Sequence, residues 1–268
     1  MFRLLADGLL DLIYPPFCIL CENALAPRYP KDVVCPRCED ALEFNHPPFC
    51  VRCSRVLTEK EKHPQCKSCR EIKPAFDFAW SACLYNDEMQ KLIHEFKYNQ
   101  KTFLAHYFKE RIIQFIQTHS FDINQFDLIL PVPLSATRLR ERGYNQSELL
   151  ARALSDHFQI PINTNNLIKT KNTHPQTQLS QKERWTNIIG AFKMSPNLKI
   201  VGRNPVSVLR KLTLKTDTRM KNLNTIKNKN VLIVDDLLTT GATTSEAARV
   251  LKLAGAKTVG VLTLAVTP

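Results

Sequence analysis

Four Cys-x-x-Cys pairs crowd the first quarter of the chain: Cys18/Cys21, Cys35/Cys38, Cys50/Cys53 and Cys66/Cys69. They take eight of its nine cysteines, with thirteen residues between the first two pairs and twelve between the last two. A CxxC turn aims two thiolates at one point about 2.3 Å from each sulfur, and two such turns on a short ribbon close a tetrahedral four-cysteine zinc site. The repeat of pair, spacer and pair therefore predicts two zinc sites. Disulfides and redox-active pairs are the competing readings. A reducing compartment disfavours the first, and four redox pairs in so short a stretch exceed what a redox centre uses.

All eight thiolates are consumed, so no coordination position is left for water and both sites are expected to be structural. Metal would replace a hydrophobic core that a segment of this size barely assembles. The spacing leaves the pairing open between sequential ribbons (first four, last four) and an interleaved cross-brace. His46 and His63 are spare ligand candidates, each more simply a surface histidine. Cys83 lies outside the pattern and reads as a buried small apolar residue.

At 268 residues the chain has room for a second, larger domain with its own core. The formal net charge of +12 invites a polyanion partner, but it is concentrated. Residues 197–230 hold nine basic residues against one acidic, while residues 1–75 are close to balanced, with eleven against ten. Strong electrostatic DNA binding by the cysteine-rich segment is therefore not expected. The apolar run from Leu4 to Phe17 is broken by Asp7, Asp11 and Pro15-Pro16 and is too short to span a membrane. It reads as a short amphipathic helix through Leu5, Leu9, Leu12 and Ile13. It has neither a basic leader nor a cleavage site, and the expected location is the cytoplasm.

From Phe76 onward strands and helices alternate. Trp80 to Tyr85, Asp127 to Val132, Leu167 to Thr170, Val231 to Val234 and Val259 to Val266 read as strands. Met89 to Tyr98, Thr102 to Gln117, Ser147 to Phe158 and Thr243 to Ala254 read as helices. This order predicts an α/β fold with a parallel sheet covered on both faces, and ligands in such sheets bind beyond the carboxyl ends of the strands. The expected division is a double zinc-ribbon domain over residues 1–75 and an α/β domain over 76–268.

The strongest functional signal runs from Val231 to Thr244. A buried strand delivers Asp235 and Asp236 to its carboxyl end, and the loop Thr239, Thr240, Gly241, Ala242, Thr243 then opens a helix. Backbone N–H groups at a helix N-terminus make an anion site, and Gly241 allows close approach of the anion. Two carboxylates beside a phosphate repel it unless they bind something else, and sugar hydroxyls are the natural partners of an acceptor-only group. A second stretch follows Pro131-Val-Pro: Arg138-Leu-Arg140-Glu-Arg142-Gly143-Tyr144-Asn145-Gln146-Ser147. If it turns helically, Arg138 and Arg142 come together as forks suited to phosphate.

The Asp-Asp and Thr-Thr-Gly-Ala-Thr layout resembles the diphosphoribosyl-binding motif of type I phosphoribosyltransferases. Together with the CxxC pairs and the Arg/Gly-Tyr-Asn-Gln stretch, it resembles the ComF family of late competence proteins. The segment from Thr173 to Phe192 (Gln176, Gln178, Leu179, Arg184, Asn187, Gly190-Ala-Phe) is similar to that family's middle region. The resemblance implies a type I phosphoribosyltransferase-like domain behind the double zinc ribbon, with phosphoribosyl pyrophosphate and Mg²⁺ as ligands. Asp235 and Asp236 would hold the ribose hydroxyls, Thr239 to Thr243 the 5′-phosphate, and Arg138 and Arg142 the pyrophosphate as catalytic groups. Lys97 is a further candidate for the pyrophosphate, but a lysine closing a helical run is ordinarily solvated. Asn99-Gln100 also stands where a glycine-containing turn is expected.

The family also implies handling of DNA taken up in natural transformation, with single-stranded DNA and a DNA-uptake helicase or ATPase as partners. Two classes of function stay open at this point: a pentosyl transferase, or a nucleic-acid-binding or regulatory module that keeps the site as a ligand sensor. Residues 201–225 interrupt the match. They show no sustained period and read as a basic surface insertion.

Overall fold

The computed structural model describes residues 16–25, 33–172, 180–195 and 226–268. The expected N-terminal helix through Leu5 and Ile13, the stretch holding Gln176, Gln178 and Leu179, and the insertion 201–225 lie outside the described residues.

Two ribbons of one design open the chain. Phe17 bridges Ala24 in the first and Phe49 bridges Val56 in the second, each antiparallel around a CxxC turn. Each turn ends on a left-handed residue, Glu22 at φ 59° and Ser54 at φ 61°. The N–H of that residue donates to the carbonyl of the first cysteine at 2.8 Å. The second CxxC of each ribbon starts a short helix: α1, Pro36–Asp40, after Cys35, and α2, Lys67–Ile72, after Cys66. Leu25 and Leu57 stand at equivalent positions and both are buried. The repeat in the cysteine spacing is thus a repeat of backbone conformation.

The elements that follow are β1 (Phe78–Leu84), α3 (Asp87–Tyr98), α4 (Leu104–Thr118), β2 (Leu128–Pro131), α5 (Ala136–Arg142), α6 (Gln146–Phe158), β3 (Leu167–Lys169), α7 (Gln181–Ile188), β4 (Phe192–Met194), β5 (Asn230–Leu238), α8 (Ala242–Leu253) and β6 (Thr258–Val266). Four strands pair in parallel in the order β1-β6-β5-β2. Side chains alternate across a strand, and both faces are buried. Leu232 and Val234 of β5 pack with Leu262 and Leu264 of β6 against Phe96, Phe108 and Leu150 from α3, α4 and α6. Val231 and Ile233 pack with Val259 and Val261 against Ala247, Ala248 and Leu251 of α8. That double cover is why these strands read as unbroken apolar runs.

Strand β5 continues past the expected Val234 to Leu238, so both aspartates belong to the strand itself. A pair the sequence did not foreshadow in full, β3 with β4, is antiparallel and stands apart from the main sheet. Next to it, the Gly190 N–H donates to Glu246 of α8 at 2.8 Å. Arg249 clasps the same carboxylate with two N–H groups, each at 2.7 Å, and holds the Glu246 carboxyl below its ordinary range. The small sheet is thereby tied to α8.

The zinc-ribbon segment covers the β1 edge of the sheet. Phe44 bridges Cys83, and the Asn45 and Ala79 N–H groups donate to Ala82 and Arg52 carbonyls across the junction, at 2.9 and 2.8 Å. Asn45 is fully buried, and its amide donates to Ser54 O, Ser54 Oγ and Ser81 O. A row of backbone groups that would otherwise be open to pairing is closed off. Cys18 and Leu25 of the first ribbon pack into the core on the α4 side, whereas Cys50, Cys69 and Leu57 of the second join the core on the α8 side.

Candidate functional site

The Sγ atoms of Cys18, Cys21, Cys35 and Cys38 lie within 4.8 Å of one another, and so do those of Cys50, Cys53, Cys66 and Cys69. The pairing that the spacing left open is sequential. The Cys21–Cys35 and Cys53–Cys66 sulfurs are 3.7 Å apart, against about 3.8 Å for the edge of a tetrahedron with 2.3 Å zinc–sulfur arms. In each quartet the third cysteine's N–H donates to the first sulfur at 3.3 Å, Cys35 to Cys18 and Cys66 to Cys50. Sulfurs this close compete for protons. Hydrogen bonds with Cys53 and Cys69 hold the Cys50 thiol well below its ordinary value, while those with Cys50 and Cys53 push Cys69 far above it. A divalent cation relieves that crowding. These are two four-cysteine zinc-ribbon sites with all ligands from the protein, suited to a structural ion. Both histidines stay outside them: His46 faces the His119 ring, and His63 Nδ1 accepts from the Gln65 N–H.

At the carboxyl end of β5, Asp235 and Asp236 are 9% and 4% exposed. Asp235 Oδ1 accepts from Ser147 Oγ at 2.7 Å and from the Asp236 N–H at 3.0 Å. Burial, reinforced by the Asp236 charge, pushes the Asp235 carboxyl up to about 7. Asp236 Oδ2 lies 2.6 Å from Lys97 Nζ. Here the expectation that Lys97 is solvated is corrected. Burial by itself would lower the Lys97 ammonium, but the Asp236 carboxylate outweighs it and holds it above lysine's ordinary value. The turn after α3 needs no glycine, because Gln100 itself takes the left-handed conformation at φ 54°.

The Arg/Gly-Tyr-Asn-Gln stretch acts one residue at a time. Ser135 Oγ caps α5 by accepting the Arg138 N–H. Gly143, at φ 81°, stops α5 in the left-handed region. The Tyr144 hydroxyl donates to the Phe96 carbonyl, next to Lys97. The Asn145 side chain caps α6 through the Ser147 N–H, and its amide donates to the Val132 carbonyl at 3.0 Å. Gln146 accepts from Arg142, and Ser147 holds Asp235. Arg142 also lies over the Tyr98 ring, 5.1 Å from its centroid. Arg138, one turn earlier, pairs loosely with Glu141 at 3.5 Å. The expected helical turn is therefore present, but its two arginines have different partners, Glu141 for Arg138 and Gln146 with the Tyr98 ring for Arg142.

The loop Thr239, Thr240, Gly241 enters α8 without a side-chain cap, and Gly241 stands at φ 77°. Thr240 Oγ1 accepts from the Ala242 N–H at 3.4 Å, and Thr243 lies in the first turn of α8. The positive end of the helix suits an anion here.

Two residues near the acid pair have roles that the sequence does not show. Lys169 of β3 lies 5.8 Å from the Phe192 ring centroid. Burial lowers its ammonium, Asp235 opposes that and Arg138 adds to it. Nothing in a weak three-residue strand marks such a lysine. Ser147 was within the quoted stretch, but only the fold shows that its hydroxyl serves Asp235.

Residues 9–72 match the double zinc ribbon domain and residues 145–268 the phosphoribosyl transferase domain. Competence protein F of Haemophilus influenzae is 30% identical over 205 residues, covering 75% of this chain and 77% of that protein. Competence protein ComFC of Bacillus subtilis is 28% identical over 256 residues, with 89% and 90% covered. DNA utilization protein YhgH of Escherichia coli K12 is 26% identical over 252 residues, with 93% and 96% covered. No helix among the described residues is long and apolar enough to cross a membrane. With two four-cysteine ribbons leading a parallel-sheet phosphoribosyltransferase domain, and with relatives that match along most of their length, the chain belongs to the ComF family.

Proposed function

We propose that the chain binds phosphoribosyl pyrophosphate with Mg²⁺ and serves the handling of DNA taken up during natural transformation. The observation that carries the ligand is the buried Asp235–Asp236 pair, held between Ser147 and Lys97 and followed within three residues by the Thr239–Thr243 loop. In this reading the two carboxylates accept the ribose hydroxyls. Thr239, Thr240, Gly241, Ala242 and Thr243 cradle the 5′-phosphate. Arg138 and Arg142 stand beside the pyrophosphate as bidentate donors. Mg²⁺, when bound, would supply positive charge against the pyrophosphate. If transfer occurs, positive charge develops at ribose C1 while pyrophosphate departs, and the arginines stabilise the leaving group.

The DNA role rests on the relatives, which are named for competence and DNA utilization. Those names point to DNA and not to a nucleobase acceptor. That favours a second reading, in which residues 76–268 sense phosphoribosyl pyrophosphate for a nucleic-acid-handling module without turning it over. Single-stranded DNA and a DNA-uptake helicase or ATPase in the cytoplasm are its partners in either case.

Calorimetry with phosphoribosyl pyrophosphate and Mg²⁺ tests the shared premise, and no binding at millimolar ligand overturns it. Pyrophosphate release with candidate bases supports the transferase. Single-stranded DNA binding that survives Asp235→Asn with Asp236→Asn, without turnover, supports the sensor.

A further inference from the structure

The second zinc ribbon reaches the phosphate loop. Arg55 stands two residues past Cys53, and its Nη2 donates to the Thr239 carbonyl at 3.0 Å. The Arg55 Nε is buried, so the guanidinium is held against the loop rather than waving in solvent. The connection out of the ribbon leans on the same loop. Arg52 Nη2 donates to the Pro74 carbonyl at 2.7 Å, and the Ala75 N–H donates to Ser245 Oγ, in the first turn of α8, at 2.9 Å. Phe76, fully buried, places ring carbons 3.6 Å from the point where a Cβ on Gly241 would stand. A cleft lined by Arg55, Cys69, Phe76, Trp185, Thr239 and Thr240 runs between ribbon and loop.

The first ribbon makes its contacts elsewhere. Glu39 of α1 accepts from Tyr107 and Arg111 of α4, on the other face of the sheet. The two ribbons have the same fold and each its own four-cysteine site, but among the described residues it is the second whose Arg55 bonds the loop.

We propose that the second zinc ribbon is a working part of the phosphoribosyl site, with Arg55 as the residue that positions the Thr239–Gly241 loop for a 5′-phosphosugar. The proposal rests on reading that loop as the 5′-phosphate cradle. A trans peptide is planar, with its carbonyl and the next N–H pointing in opposite directions. Holding the Thr239 carbonyl toward Arg55 therefore turns the Thr240 N–H away from the ribbon and fixes its aim. The guanidinium also adds positive potential behind the loop, where an anion benefits from it. A hydrogen bond from a charged donor is stronger than a neutral one, and its loss is expected to free the loop.

The test uses the full-length, zinc-loaded protein and three probes: ribose 5-phosphate, phosphoribosyl pyrophosphate with Mg²⁺, and Mg²⁺–pyrophosphate alone. Arg55→Ala is expected to weaken the first two in parallel by about tenfold or more. Pyrophosphate binding and zinc content stay at the wild-type level, and Arg55→Lys recovers part of the loss. Glu39→Ala, in the first ribbon, leaves ribose 5-phosphate binding unchanged. Wild-type phosphosugar affinity in Arg55→Ala would overturn the proposal. So would a loss of all three ligands together with zinc, which marks a structural role only. Failure of the wild-type protein itself to bind ribose 5-phosphate would instead remove the cradle reading on which the proposal stands.

Discussion

Lys97 Nζ sits 2.6 Å from Asp236 Oδ2, with 18% and 6% of the two side chains exposed. The last turn of α3 thereby delivers a cation to a pair of adjacent carboxylates at the end of β5. Two aspartates side by side in a low-dielectric setting repel each other, and Lys97 is the charge that makes the pair tolerable.

Removing that cation should be costly. Lys97→Met leaves Asp236 buried without a counter-ion, and breaking such a pair on one side costs about 3 kcal/mol. Replacing both partners, as Lys97→Met with Asp236→Asn, is expected to recover most of the loss, because no uncompensated charge remains. Urea unfolding midpoints of the two single variants and the double variant, in the presence of zinc, measure the coupling. Additive effects would show that the pair is not coupled.

Asp235 should make stability, and binding of the proposed ligand, depend on pH. Its carboxyl rises from 3.8 to about 7 in the folded chain. Between these values the unfolded chain has released the proton that the folded chain keeps. The stability from this group is therefore fully present below about pH 4 and is lost as pH rises through 7. Asp235→Asn should be less sensitive to pH across that range and more stable than wild type at pH 8. Ribose hydroxyls need the ionised carboxylate as acceptor, so affinity for ribose 5-phosphate should increase from pH 6.5 to 8. The 5′-phosphate also titrates near 6, and Asp235→Asn, which keeps the phosphate, isolates the part of the slope that belongs to the protein.

Much of this architecture is written locally, and the rest is not. The strands were legible because both faces of the sheet are covered, which leaves runs such as Val231 to Val234 uniformly apolar. The proposed phosphate loop was legible because Gly241 and its threonines are contiguous. Lys97 was not: it is followed by Tyr98 and Asn99, as a solvated lysine would be, and its partner lies on a strand far along the chain. Arg55 looks like any basic residue of a ribbon until the fold brings Thr239 to it. The cysteine pairs showed that there are two metal sites, but spacing alone could not choose between sequential and crossed ligation. That choice is visible only in the folded chain, where Cys35 closes on Cys18 and Cys66 on Cys50.

The two zinc sites should be separable. Cys69 is 6% exposed and belongs to the core on the α8 side, whereas Cys21 is exposed. Cys69→Ser and Cys21→Ser are each expected to reduce zinc from two ions per chain to one, read by native mass spectrometry. Only Cys69→Ser should also weaken ribose 5-phosphate binding, since it loosens the ribbon that carries Arg55. Equal loss of phosphosugar affinity in both variants would contradict the division of labour between the ribbons.

Two glycines provide a matched comparison of backbone strain at the two ends of the proposed ligand. Gly241 and Gly143 have nearly the same left-handed φ, 77° and 81°. An alanine at either position pays about 1–2 kcal/mol for that conformation. Space is not the obstacle: a Cβ on Gly241 would meet Phe76 at an ordinary 3.6 Å, and one on Gly143 would meet nothing within 4 Å. The variants should therefore lose similar stability, and their effects should differ in where the backbone shifts to relieve strain. Gly241→Ala moves the loop that enters α8, so ribose 5-phosphate binding should fall while Mg²⁺–pyrophosphate binding holds. Gly143→Ala moves the end of α5 that carries Arg142, so the losses should be reversed. Calorimetry with the two probes on both variants makes the comparison, and a common pattern of loss would mean that neither glycine serves one end of the ligand in particular.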